Sequence, residues 1–346
     1  MDRFVIEGPT RLSGEVRCSG AKNAVLPLMA ASLLSRGVSE IGNVPDLRDV
    51  RTFMRLLEIL GARCHLDDGR MTIDTSAVSG VEAPYDLVKT MRASIYVLGP
   101  LLAYGGEARV SLPGGCAWGP RPVNLHLTGL ERLGAVVELD AGFIQTTAPE
   151  GGLQGGSFRF APSSVGATCN VLLAAVLASG TTELANCAVE PGVTQLGRAL
   201  VAAGARIDGL GTTTLTIQGV SELDPIRHRV IPDRIEAGTF LCAGAITGGE
   251  IVVRDCDPDH LESALAALGD MGCELDVGGD FVGLRAPERL RAVEIVTRPY
   301  PAFPTDMQAQ FMAAACLAYG VSPPTETIYP DRFTHTAELR RLAAEI

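Results

Sequence analysis

Aromatic residues are scarce in this 346-residue sequence: they make up 5% of it and include a single tryptophan. Ala, Val and Leu must therefore supply most of the core. Positive charge is also in deficit, because 29 Lys and Arg face 40 Asp and Glu, which gives a net charge of −11. Such a surface does not attract nucleic acid or anionic lipid, so we expect neither as a partner. An anionic substrate would need a local cluster of cations.

The nine cysteines include no Cys-x-x-Cys pair, and they are odd in number and widely scattered. This pattern argues against a disulfide framework and favours reduced thiols in the cytoplasm. No basic stretch followed by an apolar run opens the chain, so we expect no signal peptide. The longest uncharged run, residues 160–182, is interrupted by Pro162 and Asn170. It predicts a loop and a buried helix rather than a membrane span.

Sequence motifs for cofactors are missing too. The sequence contains no G-x-x-x-x-G-K-[ST] loop, no G-x-G-x-x-G and no H-E-x-x-H. Its five histidines show no metal-ligand spacing. We therefore expect no metal ion and no cofactor, and nothing in the sequence implies an obligate protein partner.

A repeated unit is the clearest positive feature of the sequence. In each copy a helical pattern ends at a small residue and a short strand pattern follows. A steady period of this kind is the signature of a repeated supersecondary unit. The turn residues, at spacings of 73, 70, 68 and 71 residues, are Gly61, Gly134, Gly204, Gly272 and, in a weaker fifth copy that is expected to enter a strand at Ile346, Ala343.

The first copy shows what one unit contains. Val50, Phe53 and Leu57 fall at helical spacing, and two short apolar strand patterns then flank Asp68-Gly69. An Asp-Gly pair between such runs predicts a hairpin. A second helix and strand precede each copy, so the sequence predicts a mixed α/β protein with sheets packed on helices.

The segment from residue 113 to 122 is the most unusual stretch, with three glycines and three prolines in ten residues. This composition predicts a loop, and loops carry functional residues more often than cores do. The segment holds Cys116 close to Arg121. A nearby guanidinium lowers the pKa of a thiol and makes it reactive, whereas a buried cysteine is an inert small hydrophobe. The spacing leaves both possibilities open for Cys116.

Several polar residues stand where helices are predicted to begin. Lys22-Asn23, Arg92 and the segment 163–166 each precede an apolar helical run, which is a natural place for an anion. The alternatives are a solvated lysine and an ordinary N-terminal cap. Asp306 also precedes a helix, where a carboxylate can act as a general base or as a cap.

Taken together, these motifs resemble those of the UDP-N-acetylglucosamine 1-carboxyvinyltransferase family of enolpyruvyl transferases. The resemblance covers the whole chain. It implies a two-domain inside-out α/β barrel of β-α-β-α-β-β repeats, with about five of the six repeats present. The expected domains are residues 1–20 with 230–346, and residues 21–229. The segments that carry the resemblance are Ser19-Gly20-Ala21-Lys22-Asn23, Gly114-Gly115-Cys116 with Arg121-Pro122-Val123, Ser164-Val165-Gly166-Ala167-Thr168, Pro301-Ala302-Phe303-Pro304-Thr305-Asp306-Met307-Gln308, and Arg332-Phe333.

The resemblance also implies a reaction. The 3′-hydroxyl of the UDP-sugar adds to C2 of phosphoenolpyruvate while C3 receives a proton, and the intermediate then loses phosphate. Cys116 is implied as the proton donor on a closing loop, and Asp306 as the acceptor of the hydroxyl proton. Lys22, Asn23 and Arg121 are implied to hold phosphoenolpyruvate. The residues implied to line the UDP-N-acetylglucosamine site are Arg92, Arg121, Pro122, Val123, Asn124, Leu125, Ser164, Val165, Gly166, Asp306 and Ile328.

Four departures from the family pattern qualify these expectations. Residues 190–195 differ from the more acidic and apolar run usual in the family, so we assign them no function. Asn124 stands where the family commonly has Asp, and Trp118 is bulky for the loop. The sixth repeat, which in the family supplies an aspartate and two arginines, is absent, so we expect the chain as given to be inactive or nearly so. Two alternatives follow: a UDP-sugar-binding fragment without activity, and a shikimate-pathway enolpyruvyl transferase, which lacks the cysteine loop in this form.

Overall fold

The structure of the protein, a computed structural model, describes residue 5 and residues 7–88, 91–112 and 123–346. Its contacts divide the chain into two compact units. The central unit is Gly20–Ile231. The terminal unit combines Met1–Ser19 with Pro232–Ile346. Each unit has a hydrophobic core of its own.

Short strands and helices alternate along both units. In the described part of the chain the strands are β1 (Ser13–Arg17), β2 (Val38–Gly42), β3 (Arg63–Asp67), β4 (Arg70–Asp74), β5 (Glu82–Ala83), β6 (Glu107–Ser111), β7 (Val136–Asp140), β8 (Phe143–Thr147), β9 (Ser157–Arg159), β10 (Thr181–Ala185), β11 (Arg206–Asp208), β12 (Thr214–Gln218), β13 (Arg227–Arg229), β14 (Glu250–Arg254), β15 (Glu274–Val277), β16 (Phe281–Arg285), β17 (Ile295–Val296) and β18 (Pro324–Thr325). The α-helices are α1 (Lys22–Ala31), α2 (Arg48–Ile59), α3 (Tyr85–Val88), α4 (Leu98–Gly105), α5 (Asn124–Arg132), α6 (Val165–Ala175), α7 (Pro191–Ala202), α8 (Arg234–Ile246), α9 (Glu262–Asp270), α10 (Gln308–Ala315) and α11 (His335–Arg341). Short 3-10 helices cover Ser32–Leu34, Arg92–Val97, Pro258–His260 and Thr305–Met307.

The described residues of the central unit form three four-stranded sheets of the same design. Their strand orders are β13-β2-β4-β3, β5-β6-β8-β7 and β9-β10-β12-β11. In each sheet the first two strands are parallel, and the second strand then pairs antiparallel with a hairpin. One β-α-β-α-β-β unit therefore builds each sheet, with β13 from the end of the unit completing the first.

Helices fill the interior of the central unit, and sheets cover it. Residues 24–31 of α1 and 167–175 of α6 are all buried, as expected for helices that are apolar on every face. The strands instead alternate: Met71 and Ile73 of β4 are buried, whereas Arg70 and Thr72 face outward. This arrangement confirms the predicted inside-out α/β fold.

The predicted turn residues end their helices in the left-handed region. The backbone φ is +102° at Gly61, +89° at Gly134, +106° at Gly204 and +97° at Gly272. Only glycine adopts this region without strain, which explains the repeated glycine. The strand predicted at Ile346 is wrong, because residues 344–346 pair with no described strand and a strand requires a hydrogen-bonded neighbour.

The terminal unit repeats the same pattern once in full. Its four-stranded sheet has the order β1-β14-β16-β15, with β1 parallel to β14. A further pair of parallel strands joins β17 to β18. Its core includes Leu241 of α8, Leu268 of α9 and the edge-to-face pair Phe303–Phe311, whose ring centroids lie 4.8 Å apart.

Candidate functional site

The start of α1 carries the first two predicted site residues. Lys22 is the first residue of this helix, and its Nζ lies 3.3 Å from Asp49 Oδ2. The side chains are 42% and 38% exposed, so the pair is worth about 0–1 kcal/mol and does not hold Lys22 away from an anion. The positive end of the helix dipole adds to the charge of Lys22. This end of α1 therefore suits an anionic group.

A second helix start adjoins that of α1. Gly192 is the second residue of α7, and a Cβ placed on it would lie 3.4 Å from Ala24 Cα and 3.7 Å from Asn23 O. Two helix N-termini therefore meet beside Lys22-Asn23. Reasoning from the sequence assigned no function to this part of α7, and only the folded chain reveals the contact.

A buried histidine connects three of the other predicted segments. His126 lies in the first turn of α5, two residues after Asn124, and is 5% exposed. Asn170 Nδ2 donates to His126 Nδ1 over 3.0 Å, so the proton of the neutral ring sits on Nε2. On the far side of the ring, a Cβ placed on Gly166 would lie 3.3 Å from Nε2. The start of α6 therefore contacts the ring directly.

The electrostatics of His126 involve the third segment. Burial, followed by the positive charge of Arg92, lowers the pKa of His126 to about 3. The ring is therefore neutral at physiological pH. Arg92, the start of α5 and the start of α6 thus surround one imidazole.

Asn170 fixes this cluster from inside α6. Besides its bond to His126, its Nδ2 donates to Ile95 O over 3.0 Å, and its Oδ1 accepts from Gly99 N over 2.7 Å. The side chain is fully buried. These bonds tie α6 to the turn that begins at Arg92. Sequence reasoning missed both His126 and Asn170, although an amide inside an apolar helix was a signal that it needed buried partners.

The start of α6 has an ordinary cap. Ser164 Oγ accepts from Ala167 N over 3.3 Å. The first N–H groups of a helix have no partner within the helix. Those of Val165 and Gly166 therefore remain suitable for an anion even though Ser164 serves as a cap.

Asp306 belongs to the terminal unit, in the 3-10 turn that precedes α10. Arg332 Nη1 lies 2.7 Å from Asp306 Oδ1 and also donates to Thr305 Oγ1 over 3.1 Å. The Arg332 side chain is 16% exposed and that of Asp306 is 43% exposed. The carboxylate is therefore held in place yet accessible from solvent.

Glu326 holds the main chain near Ile328, another predicted site residue. Its Oε1 accepts from Ile328 N over 2.7 Å, and its Oε2 accepts from Thr305 Oγ1 over 2.8 Å. Burial alone would raise the pKa of Glu326, but hydrogen bonds from Tyr329 N, Thr305, Thr297 and Ile328 N outweigh it and lower the pKa. Asp306 and Ile328 are thereby connected through one carboxylate.

Cys116, Trp118, Arg121 and Pro122 lie outside the described residues. The eight described cysteines all share one property: burial raises the pKa of each thiol. For Cys18 and Cys64 the pKa reaches about 12. None of these eight is a thiolate at neutral pH, so none resembles a reactive cysteine.

No three His, Cys, Asp or Glu side chains in residues 7–88, 91–112 and 123–346 come together as a metal site. Within the same ranges, no helix has the length and apolar character needed to cross a lipid bilayer.

Comparison with known proteins gives the family. The family model for EPSP synthase (3-phosphoshikimate 1-carboxyvinyltransferase) matches residues 6–346. A protein of Chlorobium phaeovibrioides named UDP-N-acetylglucosamine 1-carboxyvinyltransferase is 52% identical over 347 aligned residues, which cover all of this chain and 82% of that protein. The chain belongs to the enolpyruvyl (1-carboxyvinyl) transferase family. A protein of the same name from Dichelobacter nodosus is 51% identical over the same shares of the two chains.

Solved structures of this family share the fold. The enolpyruvyl transferase NikO from Streptomyces tendae superposes with a TM-score of 0.86 at 29% identity, over 97% of this chain and 80% of that one. EPSP synthase from Acinetobacter baumannii gives a TM-score of 0.71 at 19% identity, over 96% of this chain and 78% of the other. These similarities confirm the predicted family and fold class.

Proposed function

We propose that this chain transfers the enolpyruvyl group of phosphoenolpyruvate to the 3′-hydroxyl of UDP-N-acetylglucosamine and releases phosphate. One observation carries the proposal: relatives with that activity in their names are 49–52% identical over the whole chain. The solved EPSP synthase is only 19% identical and supports the fold alone. Identity at this level favours the UDP-sugar over shikimate 3-phosphate as the acceptor.

The cationic start of α1 supports a role in holding phosphoenolpyruvate. Lys22 and Arg121 would bind its phosphate and carboxylate, with Asn23 beside the reacting carbons. The helix start supplies further N–H groups, and its neighbour at Gly192 brings a second helix dipole. Clustered positive groups of this kind hold two anionic substrates together despite the net charge of −11.

The proposed reaction begins with addition. The 3′-oxygen forms a bond to C2 of phosphoenolpyruvate, and the electron pair of the C2–C3 double bond takes a proton from the Cys116 thiol. The hydroxyl proton passes to the Asp306 carboxylate. Elimination then returns a proton from C3 to the Cys116 thiolate, restores the double bond and breaks the bond from C2 to the phosphate oxygen, and the proton held by Asp306 leaves with the phosphate. The products are an enolpyruvyl ether and inorganic phosphate.

Two features support these assignments. The eight described cysteines have raised pKa values because they are buried, which leaves Cys116 as the candidate for thiol chemistry. Asp306 is accessible and is oriented by Arg332, as a proton acceptor requires.

In the central unit, the residues proposed to bind the UDP-sugar are Arg92, the segment 121–125 and the segment 164–166. In the terminal unit, they are Asp306 and Ile328. The proximity of Arg92 and Gly166 to His126, which lies in the first turn of α5, supports a common ligand for the first group. The shared bonds to Glu326 support one for the second.

The proposed reaction also gives the protein a place in the cell. It would be the first committed step of peptidoglycan synthesis in the cytoplasm, and cell shape and division would depend on it. We propose that the two units are the two domains of the enzyme. No metal ion or organic cofactor takes part in the proposed steps.

A phosphate-release assay tests the proposal. Phosphoenolpyruvate is supplied with either UDP-N-acetylglucosamine or shikimate 3-phosphate, and phosphate release, which we expect to be slow, should occur only with the UDP-sugar. Release with shikimate 3-phosphate instead would assign the chain to the other branch of the family. Binding of UDP-N-acetylglucosamine in calorimetry without any phosphate release would identify a sugar-binding protein, the alternative expected from the sequence.

The role of the thiol is tested separately with the epoxide fosfomycin. We expect a covalent adduct on Cys116 by mass spectrometry, and loss of both adduct and turnover in Cys116→Ala. Cys64→Ala is the matched control, because that thiol has a pKa of about 12. It should not react with fosfomycin, and its loss should leave turnover unchanged. Undiminished turnover in Cys116→Ala would contradict the proposed proton donor.

A further inference from the structure

We propose that Glu326 is a positioning residue that sets the places of Asp306 and of the Ile328 main chain together. The inference rests on the proposed function for the importance of those two residues. It rests on geometry alone for the claim that Glu326 fixes them. Three chain segments converge on this carboxylate: the end of β17, the 3-10 turn before α10, and the loop after β18.

The first contacts hold the loop after β18. Glu326 Oε1 accepts from Ile328 N over 2.7 Å and from Tyr329 N over 2.9 Å. Both donors lie within three residues of the acceptor, so the carboxylate closes a tight turn on itself. The direction of the Ile328 peptide therefore depends on the Glu326 side chain.

The next contacts anchor the carboxylate to the fold. Thr297 Oγ1, which belongs to a fully buried residue one position after β17, donates to Glu326 Oε1 over 2.8 Å. The same hydroxyl accepts from Thr327 N over 3.0 Å. The turn is thereby attached to a rigid strand end at two adjacent residues, Glu326 and Thr327.

The last contacts carry the position of Glu326 to Asp306. Thr305 Oγ1 donates to Glu326 Oε2 over 2.8 Å and accepts from Arg332 Nη1 over 3.1 Å. A hydroxyl has one hydrogen, so donation to Glu326 turns its lone pairs toward Arg332. Arg332 Nη1 then reaches Asp306 Oδ1 at 2.7 Å. A continuous path of charge-assisted bonds thus joins Glu326 to the proposed proton acceptor.

An amide cannot reproduce this pattern. The Glu326 carboxylate accepts from four donors, two main-chain N–H groups and two hydroxyls. In Glu326→Gln one side-chain oxygen becomes an NH₂ group, which donates and does not accept. Either the loop N–H groups or Thr305 must lose its acceptor, although the shape of the side chain is nearly unchanged.

Two variants separate the two branches of the path. In Glu326→Gln we expect the dissociation constant for UDP-N-acetylglucosamine in calorimetry to rise by about tenfold or more, with kcat reduced as well. In Thr305→Val the loop contacts remain and only the branch to Arg332 and Asp306 is cut. We therefore expect kcat to fall by about tenfold with little change in the dissociation constant.

Glu294→Gln is the matched control, because Glu294 is exposed in the same unit and precedes β17. It should leave melting temperature, affinity and kcat unchanged. Glu326→Asp keeps the charge and tests rescue: it should recover part of the affinity that Glu326→Gln loses. If Glu326→Gln does not fold, Glu326→Asp and Thr305→Val still decide between the branches.

Hydrogen exchange tests whether Glu326 fixes the main chain near Ile328, and this measurement does not require activity. Amide protection of Ile328 and Tyr329 should fall in Glu326→Gln and stay unchanged in Glu294→Gln. Unchanged protection, or an affinity and kcat equal to those of the control, would overturn the proposal. If the unaltered chain neither binds the UDP-sugar nor releases phosphate while Glu326→Gln still loses protection, the proposed function fails and the positioning role of Glu326 stands.

Discussion

The two units hold their predicted site residues by different means. In the central unit, a neutral imidazole and a neutral amide meet in a fully buried network around His126 and Asn170. In the terminal unit, the half-buried carboxylate of Glu326 and the ion pair of Asp306 with Arg332 hold the predicted site residues in place. The two hydrogen-bonded side chains of the first design, His126 and Asn170, are uncharged in the folded chain near neutral pH. The second depends on ionised groups that solvent reaches.

The difference determines what each network loses when one member is removed. A buried polar group that loses its partner keeps its full desolvation cost, because water cannot replace the missing bond. A half-exposed group can recover part of the loss by hydration. The central network is therefore expected to resist changes of salt but to tolerate substitution poorly, whereas the terminal network should respond more to salt and tolerate substitution better.

Removal of the buried amide should have the largest effect. Asn170→Ala leaves Gly99 N, Ile95 O and His126 Nδ1 without the partners they have now. We expect the free energy of unfolding to fall by about 3–4 kcal/mol, measured by urea unfolding with circular dichroism.

Gln154→Ala is the control for Asn170→Ala. Gln154 is an exposed amide in the same unit with one hydrogen bond, to Gly152 O, so its loss should cost less than about 0.5 kcal/mol. Equal effects of the two substitutions would show that burial does not distinguish the two amides, and the comparison between the units would fail.

Acid should weaken the central unit before the network of Glu326. The pKa of His126 is lowered to about 3 from 6.5, so below pH 6.5 the unfolded chain binds a proton that the folded chain does not. His126 therefore makes stability fall by about 1.4 kcal/mol per pH unit as the pH decreases from 6.5 toward 3. The pKa of Glu326 is lowered from 4.5, so the stability it contributes is complete above pH 4.5 and is lost only in stronger acid.

The contribution of His126 is obtained as a difference between proteins. The pKa values of His228 and His335 are also lowered by burial, so the unaltered chain should show a steeper total dependence. The side chains of Arg92 and Asn170 face His126 and stay unaltered in His126→Gln. Between pH 6 and pH 4.5, the slope of the free energy of unfolding against pH should differ between the two proteins by the effect of about one bound proton. Identical slopes would contradict a neutral buried His126.

Substitutions of the helix caps should have the smallest effect on stability, and here we expect the larger loss in the terminal unit. Asp233 caps α8 of the terminal unit by accepting from Ile235 N and Glu236 N, whereas Ser164 caps α6 of the central unit with one bond. We expect Asp233→Ala to cost about 2 kcal/mol and Ser164→Ala about 1 kcal/mol in the free energy of unfolding. Asp233→Asn keeps an acceptor and should recover most of the loss. A larger cost for Ser164→Ala would contradict the ranking.

The sequence predicted features whose causes are local. Glycines that end helices, an Asp-Gly hairpin and the helix starts at Lys22 and Ser164 follow from backbone preferences within a few residues. The strand at Ile346 was predicted wrongly because strand formation needs a partner, and partners are set by the fold. For the same reason the sequence did not predict the network around His126, because His126 and Asn170 are 44 residues apart.

The hydrogen-bond partners of Glu326 could not be predicted from the sequence either. Nothing near Glu326 in the sequence marks Thr297 or Thr305 as its partners, because the separations are 29 and 21 residues. The family resemblance predicted Asp306 and Ile328 as site residues. It did not supply the carboxylate that connects them, because a resemblance between motifs transfers positions and not hydrogen bonds.

The pairing of β13 with β2 has a consequence for how the chain is joined. The last strand of the central unit lies parallel to one of its first, and Ala21 N donates to Ile231 O over 2.8 Å. The two ends of this 212-residue unit, Gly20–Ile231, are therefore neighbours. If this unit were excised, or circularly permuted with a short linker between its present ends, every strand of its three sheets would keep its present partners.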